Sequence, residues 1–153
     1  MGAEARLTEL KLTLPPAPKP VATYLTAVRQ GNLLYVSGHG PLKPDGKLIQ
    51  GRIGVDMTPE QGKEAARAVG LAILSTVRST LGTLDKVKRL VKTLGMVNCT
   101  TDFKDQPAVI NGFSELMADI FGEDAGVGAR SAVGMGSLPS NIPVEVECIF
   151  EVG

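Results

Sequence analysis

Tryptophan is absent from this chain, aromatic residues make up only 4%, and there is one histidine, His39. So few aromatics supply no stacking platform for bases. Sixteen basic residues against sixteen acidic ones leave no net charge to draw nucleic acid or an acidic membrane. Nucleic acid is therefore disfavoured as a partner. A histidine-rich metal site or a Ser-His-Asp triad would have to rest on His39 alone. The only cysteines, Cys99 and Cys148, lie far apart in strand-like sequence. That spacing fits neither a metal cluster nor a disulfide framework and reads as two small buried hydrophobes in a reducing compartment. No long uncharged apolar run exists to cross a membrane. Glu4 and Arg6 interrupt the place where a signal peptide builds its apolar region, and Arg6 stands where myristoylation needs Ser or Thr. The expectation is a cytoplasmic protein with no membrane partner.

The 153 residues are enough for one domain with a sizeable core. Prolines crowd the segment from Leu14 to Pro20, so residues 1–19 are expected as an extended lead-in and residues 20–153 as a single domain. Val21–Val28 and Asn32–Ser37 read as two strands joined across Gly31, and Pro44-Asp45-Gly46-Lys47 as a turn. Thr58-Pro59-Glu60-Gln61 combines a capping hydroxyl, proline at the first helical position and glutamine three residues after the cap. Ala65, Val69, Ala72, Ile73, Thr76 and Val77 continue at helical spacing until Gly82 closes the helix. Val87–Cys99 is a strand candidate. Asp105-Gln106-Pro107 opens a second helix with the stripe Val109, Phe113, Leu116, Met117 and Ile120, and Asn111 falls off that stripe. Val144–Val152 alternates cleanly as a strand. This order predicts an α+β fold, a mixed β-sheet with two helices on one face and the other face in need of cover.

Chemistry concentrates in the last quarter, in Gly128-Ala129-Arg130-Ser131-Ala132-Val133, Leu138-Pro139 and Val144-Glu145-Val146-Glu147. Two readings are open. Arg130 and Glu145 make a surface ion pair on neighbouring strands, which contributes little. Alternatively, a guanidinium grips a small carboxylate bidentately while a glutamate orients water or moves a proton. Gly38, Gly40, Gly134 and Gly136 are better read as conformational than as an anion cradle.

The Ala-Arg-Ser block before Leu-Pro and the alternating Val-Glu strand resemble the RidA (YjgF) family of reactive-intermediate deaminases. Tyr24, Gly31-Asn32, Val36-Ser37-Gly38 and Asn111 match that family's remaining signatures in order, from about Pro20 to Val152. The resemblance implies a chorismate-mutase-like fold and a homotrimer with clefts between adjacent subunits. It also implies hydrolysis of an enamine/imine acid such as 2-aminoacrylate to a 2-oxo acid and ammonia, with no metal and no cofactor. Arg130 would clamp the substrate carboxylate. Glu145 would hold the attacking water, while Tyr24, Ser37, Asn111 and the residue at Ala132 would line the cleft. Ala132 stands where better-known members carry cysteine, and His39 where they tend to have glutamine, which would put a further polar group in the cleft. A non-catalytic carboxylate-binding module is the alternative function. A ribonuclease, the activity implied by older family names, is disfavoured by neutral charge and the single histidine.

Overall fold

The capping signal at Thr58 does in three dimensions what its sequence announces. In a computed structural model describing residues 1–153, the Thr58 hydroxyl accepts from the Gln61 N–H and the Gln61 side chain accepts from the Thr58 N–H. Such a cap stabilises the helix by about 1 kcal/mol. It opens the long helix α2 (Pro59–Leu81), which Gly82 ends in a left-handed conformation with φ 87°. Around it, in chain order, lie α1 (Ala3–Glu9), β1 (Ala27–Gln30), β2 (Leu33–His39), β3 (Val87–Asn98), α3 (Gln106–Phe121), β4 (Ala129–Met135) and β5 (Val144–Val152).

The five strands form one mixed sheet in the order β1-β2-β5-β3-β4. All neighbours are antiparallel except β3 and β4, whose parallel pairing follows from the intervening α3 crossover. In β5, Val144, Val146, Cys148, Phe150 and Val152 are all buried, whereas Glu145, Glu147 and Ile149 face away from the core. The buried set shares one core with Val69, Ile73 and Val77 of α2 and Val109, Phe113 and Met117 of α3. The helices thus cover one face and leave the other open, as the sequence pattern requires. No helix is long and apolar enough to cross a membrane.

Helices α2 and α3 meet closely because their contact is glycine-lined. A Cβ at Gly112 would overlap the Lys63 carbonyl oxygen and press on the Arg67 amide, both backbone atoms with no freedom to yield. Gly112→Ala is therefore expected to destabilise the protein by about 2–3 kcal/mol through overpacking, read as a lowered urea midpoint at unchanged m-value.

Two expectations are corrected. The lead-in is not extended throughout, since Ala3–Glu9 is helical, with Ala3 and Leu7 buried in the main core. The prolines begin only at Pro15 and do not constrain this stretch. The strand expected over residues 21–28 shrinks to Ala27–Gln30. Its partner β2 leaves the simple register after Val36, and Val21–Tyr24 bend away to the mouth of a cavity.

Candidate active site

Strand β2 carries an extra residue where it pairs with β5. Val36 faces Cys148 and His39 faces Val146, so three steps on one strand match two on the other. This bulge at Ser37-Gly38 reverses the alternation, and its consequences build one half of the site. Ser37 stays beside the neighbouring backbone, its hydroxyl donating to the Leu25 carbonyl at 2.6 Å. Gly38 lies against the carboxylate of Glu145, whose Oε2 occupies the space a Cβ would need. His39 turns inward beneath the sheet and is 5% exposed.

His39 does border the cavity, but its ring is turned into the core. Its Nδ1 donates to the Ser37 carbonyl at 2.6 Å, and its Nε2 accepts from the Thr76 hydroxyl of α2 at 2.8 Å. A carbonyl can only accept, which fixes the proton on Nδ1. Burial lowers the imidazole pKa, partly opposed by the Ser37 carbonyl, so the ring is neutral at physiological pH. The only histidine has both ring nitrogens engaged within the chain and braces the bulge.

Glu145 and Glu147 lie two residues apart on the open face of β5 and both line a cavity of about 850 Å³ with Tyr24, Ser37 and Gly38. Burial raises the Glu145 pKa, and the negative charge of Glu147 adds to the rise. A carboxyl group so placed is matched to taking up and returning a proton.

Arg130, Asn111 and Ala132 sit elsewhere. Arg130 is in register with Thr93 of β3, which pairs with buried Cys148, so its side chain projects to the helix-covered face at the open edge of the sheet. There Nη1 donates to Asn111 Oδ1 at 2.8 Å and to the Ser114 hydroxyl at 3.1 Å, both from α3. No carboxylate pairs with Arg130. The ion pair with Glu145 does not form, because β3 lies between their strands and the two side chains occupy opposite faces. Ala132, on the same side as Arg130, packs against the core. Ser114 escaped the sequence reading, although its position three residues after Asn111 puts it on the same helix face.

One chain therefore holds two half-sites: an unneutralised guanidinium braced by an amide and a hydroxyl, and a carboxylate pair in a cavity with a tyrosine and a serine. Among known proteins, the chain is 40% identical to Protein TCP17 of Trypanosoma cruzi over 97% of this chain and 92% of that one. It is 27% identical to a 2-iminobutanoate/2-iminopropanoate deaminase of Dermatophagoides farinae over 92% and 94% of the respective chains. The crystal structure of Atu1372 from Agrobacterium tumefaciens superposes with a TM-score of 0.90 at 42% identity, covering 99% of this chain and 92% of that one. The sequence profile described as Endoribonuclease L-PSP matches residues 15–152, and the chain belongs to that family, the YjgF/RidA family.

Proposed function

We propose that this protein hydrolyses reactive enamine/imine acids to 2-oxo acids and ammonia in clefts between the subunits of a homotrimer. The observation that carries the reading is Arg130, a charged fork held by Asn111 and Ser114 with no carboxylate of its own chain to neutralise it. Such a group is poised for a ligand carboxylate. Its complement, the Glu145 cavity, opens on the other face, so a second copy seated against the sheet supplies what each copy lacks. The deaminase name of the Dermatophagoides relative supports the same chemistry.

In this reading the Arg130 fork holds the substrate carboxylate and fixes the imine carbon near Glu145. An enamine first takes a proton at its terminal carbon to become the imine. Water then bonds through oxygen to the imine carbon as its proton passes to the Glu145 carboxylate, and the C=N pair moves to nitrogen. Glu145 returns the proton to that nitrogen and the C–N bond breaks. The hydroxyl proton passes back to the Glu145 carboxylate and on to the departing nitrogen as the hydroxyl oxygen forms the new C=O, and ammonia leaves. The raised pKa of Glu145 suits both directions of transfer. Positioning and charge supply the remaining catalysis.

A ribonuclease reading has little support in the geometry. His39, the one imidazole, is buried and doubly bonded, and the cavity carries two carboxylates where RNA would bring phosphates. The test of the proposal is ammonia release from imino acids generated in situ, measured with and without the protein. No acceleration would favour the binding-module alternative. Within this frame Gly38→Ala is expected to lower kcat at least tenfold with little change in circular dichroism, because the new methyl displaces the Glu145 carboxylate.

A further inference from the structure

The cavity at Glu145 owes one whole wall to the N-terminal segment, and that segment is fastened to the body at both ends of its helix-to-strap run. Glu4 of α1 accepts from the Leu84 N–H at 2.9 Å, and Arg6 Nε donates to the Asp119 carbonyl at 2.8 Å. Leu10, Leu12 and Leu14 pack on the core, and the Ser75 hydroxyl of α2 donates to the Pro15 carbonyl at 2.6 Å. From that pin, prolines 16, 18 and 20 stiffen the strap that continues to Tyr24. Pro16, Ala17 and Val21 of the strap line the cavity, with Leu42, Leu48 and Ile142 among its remaining apolar walls.

We propose that this strap selects imino acids with a long or branched apolar side chain, which lies among the apolar walls while the reacting carbon sits at Glu145. The inference rests on the hydrolase reading above and names its substrate class. At about 850 Å³ the cavity is in the upper range of clefts that enclose far larger ligands than a three-carbon acid. A small imino acid would leave the apolar walls wet, whereas each methylene buried there improves transition-state binding about fourfold. The wall charges are Lys19 against Glu145 and Glu147, a net negative balance that disfavours side chains bearing a second carboxylate.

Imino acids formed in situ from alanine, norvaline, leucine and phenylalanine by an amino-acid oxidase provide the test, with ammonia release as readout. Wild-type kcat/KM is expected to rise at least tenfold from the alanine-derived to the leucine-derived imine. Ala17→Trp, which fills the strap side of the cavity from an exposed position, should lower the ratio of leucine-derived to alanine-derived rates at least tenfold. Ser75→Ala, which removes the pin at Pro15, should raise KM for the large imines more than for the small one. A flat profile, or a preference for the alanine-derived imine that Ala17→Trp leaves unaltered, overturns the strap's role while the hydrolase reading stands. Hydrolysis of none of the four overturns both.

Discussion

Arg130→Ala is expected to lower kcat/KM for imine hydrolysis by at least about 100-fold, the loss associated with removing a charged, bidentate contact to the reacting molecule. The fold should survive. Arg130 sits half-exposed on an edge strand and engages only Asn111 and Ser114, through one of its nitrogens. Its removal therefore leaves two hydrogen-bonding groups beside solvent rather than a hole in the core. Arg130→Lys should recover little, because one ammonium cannot meet Asn111 and Ser114 and still present a fork to a carboxylate. Turnover of 2-oxo acid release, with circular dichroism and a thermal melt as folding controls, distinguishes the outcomes. Undiminished turnover in Arg130→Ala would remove Arg130 from the mechanism.

Glu145→Gln is expected to keep 2-oxo acid binding while losing turnover by about 10²- to 10⁴-fold, the contribution of a positioned general base. Glu147→Gln should cost much less. The two carboxylates share a face and a cavity, but it is Glu145 that is pressed against the bulge at Gly38. The base must be ionised to accept the water proton. The acid limb of the wild-type kcat profile should accordingly lie above the ordinary glutamate value of 4.5, activity rising with pH through it. In Glu147→Gln the limb should move down, because a neighbouring negative charge that favoured the protonated form is gone. Equal losses of rate in the two variants would mean that the strand carboxylates act structurally.

Much of the fold was legible because several elements carry signals that are local. The Thr58 capping box, the apolar stripe of α3 and the alternation of β5 depend on residues within one or two turns of each other. Helix α1 was not legible, since seven residues with no capping side chain owe their helicity to tertiary partners such as the Asp119 carbonyl. The inward turn of the His39 ring is hidden in the sequence for a similar reason. In an unbroken β2 it would share the outward phase of Tyr35, and the extra residue at Ser37-Gly38 inverts that phase. The sequence offers Arg130 and Glu145 as candidates, but their separation depends on β3 lying between β4 and β5, a strand order that no short motif encodes. Tyr24, Ser37 and Glu145 do share one cavity, and Arg130 and Asn111 do touch.

That division into two half-sites makes a subunit-mixing measurement the most direct test. Arg130→Ala and Glu145→Gln proteins, each inactive alone, are to be unfolded, mixed in equal amounts and refolded, with sedimentation to establish the trimer. If each cleft takes Arg130 from one copy and Glu145 from the next, random mixed trimers regain some intact clefts, and the mixture should recover roughly a quarter of wild-type imine hydrolysis. A mixture no more active than its two parents, or a protein that sediments as a monomer at all concentrations, would contradict a site shared between copies.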